Sequence, residues 1–475
     1  MSLKVDFNLK LKFSKIKIQN QKLVTGYNMS DKSDNIKEQK SIPASKVQRA
    51  SRFVSTGVKV GRNYVKHYAK KAFDPSLSKD SLHENNAKDI YNSLSELKGS
   101  ALKVAQMMSM DKNLLPSAYS DKFQMAQYSA PPLSFPLVVR TFKQQLGVSP
   151  TEMFDTFTKE AVNAASIGQV HKATKDGKTF AVKVQYPGVA ESVSSDLKIV
   201  KPFAVNLLGL NEKDVNYYMQ EVESMLLSET DYELELKRSV QITEACTHIE
   251  NVYFPKYYPE FSAKKVLTMD WLEGLHLDQF MKTNPSQEVR NKIGQSLWDF
   301  YDYQIHNLRE VHADPHPGNF IMNDNGRLGI IDFGCVKVIP EEYYEPYFEL
   351  LDSRILQHEE RLEPVFYQLG FLFKDDTPED KVELKKAFKT MIELLGRPFN
   401  SEKFDFGDES YFQEIFAFGE ESSKIKALKD SKKPRGSRHG LYINRTYFGL
   451  YSILNQLKAE IKTHSTWFDA LEPVS

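Results

Sequence analysis

The feature that most constrains this chain is a pair of short motifs around residue 320. His312-Ala313-Asp314-Pro315-His316-Pro317-Gly318-Asn319 is followed by Ile330-Ile331-Asp332-Phe333-Gly334. Asp314 and Asn319 are five residues apart, and Asp332 lies thirteen beyond Asn319. Asn319 and Asp332 supply an amide oxygen and a carboxylate, hard ligands of the kind Mg2+ takes. Asp314 stands where the proton of a nucleophile would be accepted. Asp-Phe-Gly alone would say little. Both motifs, in this order and at this spacing, say much more.

The spacing is that of a kinase catalytic loop and its metal-binding Asp-Phe-Gly. The upstream sequence is consistent with it. Val170–Thr174 reads as a strand, Asp176-Gly177 as a hairpin turn, and Thr179–Gln185 as the partner strand. Lys183 sits in Ala181-Val182-Lys183 on that second strand, where an ammonium can contact nucleotide phosphates. Taken alone, it would also fit a surface lysine on an edge strand. An acidic helix is expected over 214–237. Its Glu229, Asp231, Glu233 and Glu235 are candidate partners for Lys183. Val266–Trp271 reads as a further strand, and the chain is mostly helical from Gln287 onward.

Four segments give the chain a resemblance to the UbiB/ADCK family of atypical, protein-kinase-like proteins over roughly residues 85–460. Lys98–Gln106 looks like that family's Lys-x-Gly-Gln helix, and Asn163–His171 like its Ala-rich nucleotide loop. Glu229-Thr230-Asp231 looks like its Glu-x-Asp motif, and His312–Asn319 like its catalytic loop. The resemblance implies that ATP or ADP with Mg2+ binds between two lobes. Ala164, Ala165, Ser166, Ile167, Gly168 and Gln169 would then line the phosphates, and Lys183 would pair with Glu235. It also implies that Lys103 and Gln106 cover the cleft, with Lys103 paired to Glu229 and Asp231 supporting a metal held by Asn319 and Asp332. Asp314, Lys183 and Lys103 would be the catalytic set. Two positions depart from the family pattern: Ala105 stands for a glycine and Asn163 for the first alanine of the loop. By the same resemblance, the chain would bind and hydrolyse ATP in isoprenoid-quinone biosynthesis or membrane lipid homeostasis. The alternatives are a phosphotransferase acting on a small-molecule or protein hydroxyl, and a non-catalytic nucleotide-dependent scaffold.

Composition limits the surroundings. The net charge is zero, yet residues 1–73 carry 17 basic residues against 4 acidic ones. The remainder is acidic, so a partner for the basic arm should be anionic. Residues 46–73 hold eight basic residues and no acid, with valines and aromatics interleaved at helical spacing. That pattern fits an anionic membrane surface, or a solvated helix packed on the acidic body. Gly57 and Gly61 count against the helix. A second basic stretch, 424–438, reads as a solvated loop or an anion patch. Two cysteines exclude a disulfide scaffold. His306, His312 and His316 cluster, but they fit the helix and loop pattern better than a zinc site. There is no nucleic-acid motif. No run of apolar residues is long enough to span a membrane. Leu441–Lys462 reads as amphipathic, so membrane contact should be peripheral.

The expectation is therefore an α+β, two-lobed protein-kinase-like fold with a helical extension over the nucleotide cleft. Residues 1–80 would form a partly disordered basic arm and 81–150 the helical extension. A small lobe would span 151–270 and a helical lobe 271–475. Partners would be a nucleotide, an anionic lipid surface through 46–73, and a quinone-pathway lipid or enzyme, on the cytoplasmic or organelle-matrix side.

Overall fold

The computed structural model describes residues 46–74, 80–97, 103, 132–164, 167–206, 212–422, 424–429, 431, 433–465 and 467. Residues 1–45 of the basic arm, Gln106, Ala165 and Ser166, and all of the Lys98–Gln106 segment but Lys103 lie outside these.

The small lobe is an antiparallel sheet. β1 (Thr156–Phe157), β2 (Asn163–Ala164), β3 (Gly168–Lys175) and β4 (Lys178–Gln185) are joined, after intervening helices and β5 (Val252–Tyr253), by β6 (Val266–Asp270). The order is β1-β3-β4-β6, and β2 also pairs with β3. Asp176 and Gly177 both have positive φ, 49° and 74°. Two consecutive left-handed residues make the tight turn whose twist suits a hairpin, as the Asp-Gly pair predicts. On β4, Phe180, Val182 and Val184 point into the lobe core. Lys183 therefore faces the other way. It sits opposite Val170 and Leu267, its two sheet neighbours.

Helices α1 (Lys46–Phe73) and α2 (Asp80–Leu97) pack together through Val60, Leu82, Ala87, Ile90 and Leu94. The α1 helix runs unbroken through Gly57 and Gly61. Nothing lies within 4 Å of where either Cβ would be, so this stretch faces open space. The α3 helix (Phe135–Leu146) packs on β4 through the lobe core, with Phe142 fully buried. The α4 helix (Val189–Asn206) follows the sheet and packs against α1.

The single acidic helix expected over 214–237 is two helices. The α5 helix (Glu212–Glu229) stops, and α6 (Tyr232–Ala245) starts at once. The cause is Asp231, whose Oδ1 accepts from the amides of Glu233 and Leu234 and so caps α6. A cap residue needs extended backbone, here φ −106° and ψ 92°, which ends the preceding helix. Glu229 and Glu235 therefore sit on different helices and serve different lysines.

In the large lobe α7 (Gln287–Tyr303) packs against α8 (Gly440–Leu457). The segment expected as one amphipathic stretch to Lys462 turns out at Lys458, which is left-handed with φ 49°. It ends as a strand paired to Lys403–Asp405. Short strands carry the two sequence motifs. β7 (Glu310–His312) leads into Asp314. β8 (Phe320–Met322) and β9 (Leu328–Ile330) form the hairpin between Asn319 and Asp332, and β10 (Val336–Val338) returns antiparallel to β7. β5 pairs parallel with β9, so this part of the chain belongs to the large-lobe sheet.

Candidate active site

Lys183 is the centre of one half of the site. Its Nζ lies 2.8 Å from Glu235 Oε1 and 3.2 Å from Asp332 Oδ2, and 5.0 Å above the Tyr232 ring. Burial pushes the ammonium down, but Asp332 and Glu235 outweigh it and hold the pKa well above its ordinary value. One ammonium serves two carboxylates. Burial drives the more enclosed of them, Glu235, up to about 7 against the pull of Lys183. Asp332 stays below its ordinary value, because Lys183 and the Gly334 amide overcome its burial. The Gly334 amide donates to Asp332 Oδ1 at 2.8 Å, which aims the second oxygen at Lys183.

Asp314 is held on two sides. Lys103 Nζ lies 2.9 Å from its Oδ2 and also 3.2 Å from Glu229 Oε2. Arg445, from α8, donates to its Oδ1 at 2.5 Å. Burial would raise the Asp314 carboxyl, yet the two cations hold it far below the usual carboxylate range. Asp314 and Glu229 in turn hold Lys103 above its ordinary value despite burial. Asn319 donates Nδ2 to the Asp314 carbonyl at 2.9 Å, leaving its Oδ1 as the outward group.

The histidines brace this loop. His312 Nδ1 lies 2.8 Å from the Tyr301 hydroxyl, and burial pushes its imidazole down to about 4. The Gly318 amide donates to His316 Nδ1 at 3.0 Å, and burial takes this ring to about 4 as well. His306 instead bonds the Tyr344 hydroxyl and stacks on Trp467.

The remaining sequence-derived residues have other surroundings. Gln169 is fully buried, accepting from the Leu133 amide at 2.7 Å and contacting His171 at 2.9 Å. Its amide ties the small lobe together. Ile167 is buried, and its carbonyl accepts from the Tyr186 amide. Gly168 lies so close to Tyr232 that a Cβ would sit 2.6 Å from the tyrosine oxygen. Asp231 uses Oδ1 for its helix cap. Ala164 contributes its backbone to β2, opposite Gln169. In the basic stretch 424–438, Lys433 pairs with Asp375 and Arg435 with Asp376, so two of its cations are bound to neighbouring acids.

Arg445 is the site residue that sequence reasoning missed. It lies 131 residues beyond Asp314. The signal was a charged residue within a run where Tyr442, Ile443 and Thr446 are all core-facing, followed four residues later by Gly449. A Cβ at Gly449 would meet Pro315 at 2.3 Å, so the glycine is what brings this helix face onto the catalytic loop.

The profile of the ABC1 atypical kinase-like domain matches residues 125–365. The chain belongs to this family. Among ABC1 relatives, it is 25% identical over 456 residues to a probable serine/threonine-protein kinase, abkA, of Dictyostelium discoideum, covering 89% of this chain and 78% of that one. It is 27% identical to the mitochondrial atypical kinase COQ8B of Danio rerio, covering 92% and 70%. It is 28% identical to the mitochondrial atypical kinase COQ8 of Saccharomyces cerevisiae, covering 81% and 77%. A solved complex of Mycobacterium tuberculosis Rv3197 with erythromycin has a TM-score of 0.53 at 27% identity, covering 83% of this chain and 99% of that one. The two-lobed kinase-like fold of this ABC1 protein is thus shared with that solved structure.

The residues present fit a divalent cation with a nucleotide. The Lys183 side holds one ammonium against two carboxylates, a deficit of positive charge. Asn319 Oδ1 and Asp332 are oxygen donors of the right hardness. Among the described residues, no three carboxylates, imidazoles or thiols converge. A cation here would complete its shell with phosphate oxygens and water, as Mg2+ does in nucleotide sites.

Proposed function

We propose that this ABC1 protein binds Mg-ATP between its lobes and hydrolyses it. The observation that carries the reading is Lys183, held between Glu235 and Asp332 within 3.2 Å of both. This is a prepaid ion-pair arrangement of the kind kinases need for phosphate positioning. Lys183 would bind the phosphates, and Asn319 and Asp332 would hold the metal, whose charge would offset that of the phosphates. Asp314 orients the attacking water.

Hydrolysis is favoured over phosphorylation of a protein by the clamp on Asp314. A carboxylate held by two buried cations is a poor base for water and for a protein hydroxyl alike, so the distinction rests on Lys103, which occupies the place an acceptor hydroxyl would need. A phosphotransferase reading requires Lys103 to move away. The mitochondrial COQ8 relatives support a role in ubiquinone biosynthesis; membrane lipid homeostasis, on the matrix or cytoplasmic side of a membrane, belongs to the same proposal.

Membrane contact would run through α1. Val54, Val58, Val65 and Tyr68 are 52–70% exposed along one stripe, flanked by exposed Lys59, Arg62, Lys66 and Lys70. An apolar stripe with basic flanks and no acid matches an anionic lipid surface. No described helix is long and apolar enough to cross a membrane.

The deciding experiment is Mg2+-dependent ATP hydrolysis by the wild type and Asp332→Asn, with and without anionic liposomes. Hydrolysis that rises with liposomes and vanishes in the variant supports the reading. If neither protein hydrolyses ATP, yet ATP still raises the melting temperature, the scaffold reading replaces it.

A further inference from the structure

The elements that converge on Asp314 converge a second time, away from the nucleotide. Lys337 lies on β10, five residues after Asp332, and is 7% exposed. Its Nζ donates to Glu221 Oε1 of α5 at 2.6 Å and to His439 Nδ1 at 2.9 Å. His439 immediately precedes α8. Glu221 stands eight residues before Glu229, about 12 Å along α5. His439 stands six residues before Arg445.

Between the two polar groups lies a small apolar cluster of Met225, Ala313, Cys335 and Tyr442. Each of its members belongs to or adjoins one of the same elements: α5, the residue after β7, the residue before β10, and α8. The α5 and α8 helices are therefore each fixed at two points. One point is the Asp314 site, gripped through Glu229 at the C-terminal end of α5 and Arg445 in the second turn of α8; the other is Lys337, gripped from mid-α5 by Glu221 and from the N-cap of α8 by His439. The hydroxyls and backbone around the second point reinforce it. Tyr218 donates to the Arg435 carbonyl at 3.1 Å, and the Arg438 amide donates to the Tyr217 hydroxyl at 3.3 Å.

We propose that Glu221, Lys337 and His439 form a proton-sensitive latch that positions α5 and α8, and through them Glu229–Lys103 and Arg445, on Asp314. The inference rests on the reading of Asp314 as the carboxylate of the active site. An ammonium can only donate, so His439 Nδ1 must carry a lone pair for the contact to exist. A proton added to Nδ1 removes the acceptor and sets two cations side by side. Facing the ring are Lys337 from β10, Glu221 from α5, Arg438 from its own loop, and Glu342 and Tyr343 from the helix Glu341–Glu349. Two cations and two carboxylates balance there, so an imidazolium finds no surplus of negative charge. Burial and then Lys337 keep the ring neutral below its ordinary range.

The test is hydrogen exchange of the full chain, with His439→Gln as the variant. Glutamine keeps an acceptor for Lys337 and does not titrate. After correction for intrinsic rates, peptides from 212–229 and 440–457 should exchange at least about threefold faster in the wild type at about pH 5.5 than at about pH 7.5. The helix Pro378–Gly396 should not change, and His439→Gln should lose the acceleration. ATP hydrolysis should show the same pattern, with an acid-side rise of about threefold or more in the wild type that the variant lacks. Wild-type helices that ignore pH, or a variant that keeps the wild-type pH response, overturn the latch. The exchange arm needs no turnover. If ATP neither hydrolyses nor stabilises the protein, the functional reading fails while the latch is still decided.

Discussion

The Lys103 ammonium lies 2.9 Å from Asp314, and it is the same ammonium that Glu229 holds at 3.2 Å. Lys103 thus spans α5 and the catalytic loop. Replacing it with methionine leaves Asp314 paired to Arg445 but strips buried Glu229 of its ammonium, so the cost should be about 3–5 kcal/mol. Activity should move as well. If Lys103 is what blocks an acceptor, the variant gains labelled protein in a radiolabelled-ATP assay, by roughly tenfold or more, within the range of a typical coupling energy. Unchanged labelling would show that Lys103 does not guard the cleft.

Gly168 is a steric requirement and not a flexible spot. A Cβ there would meet Tyr232 Oη at 2.6 Å and the Val184 carbonyl at 2.9 Å. Gly168→Ala should cost about 1–3 kcal/mol, the usual price of overpacking. Adding Tyr232→Phe removes one of the two clashes, so the double variant should recover part of the loss. Urea unfolding of the four proteins measures the coupling. Additive losses would place the strain at Val184 alone.

Glu235 gives the stability a pH signature. Its carboxyl is raised to about 7, so the folded protein holds a proton that the unfolded chain has released above the ordinary carboxylate range. The associated stability is present at acid pH and declines as pH rises through about 7. Melting temperature should therefore fall by several degrees more in the wild type than in Glu235→Gln between about pH 5 and about pH 8. Parallel curves for the two proteins would contradict it.

The catalytic loop, Asp332 and the Lys183 hairpin were legible because each is a local pattern, with its chemistry and its turn residues within a few positions. Pairing Lys183 with Glu235, and Lys103 with Glu229, came from family resemblance. The residues alone left four acids open. What separates those acids is the break at Thr230-Asp231, where one cap residue ends α5 and starts α6. A continuous run of acidic and apolar residues hides such a break. Arg445 and Lys337 were illegible for a different reason. Their partners lie 131 and 116 residues away, and helical periodicity reports which face is buried, not what it is buried against. Gly449 was the one hint, and its meaning depends on Pro315.

The α1 stripe separates membrane binding from folding. The exposed flank residues Lys59, Arg62 and Lys66 make no part of the α1–α2 contact. Changing all three to glutamine should leave the melting temperature unaltered. Partitioning onto anionic vesicles should drop by roughly a hundredfold, at about 1 kcal/mol per charge. Val58→Asp should weaken binding to anionic and neutral vesicles alike, because it removes apolar insertion. Flotation of the full chain on both vesicle types reads the difference. Equal flotation of the triple variant and the wild type would remove α1 as the docking face.

Lys103 and Arg445 should prove non-additive because they share one carboxylate. Either alone still compensates Asp314, so Arg445→Met should cost about 1–3 kcal/mol, and Lys103→Met about 3–5 kcal/mol because it also strips Glu229. The double variant leaves a buried carboxylate with no cation, and its loss should exceed the sum of the two by a further 1–3 kcal/mol or so. The sign of the pH dependence should also invert. In the wild type the two cations hold Asp314 below its ordinary value, so its stability is complete at neutral pH and lost only in acid. In the double variant burial outweighs the remaining influences and raises the carboxyl. Stability then falls as pH rises from about 5 to about 8, where the wild-type contribution from Asp314 is flat. Denaturant unfolding at both pH values checks it. An additive double variant with a flat profile would mean that Asp314 finds another partner once its cations are gone.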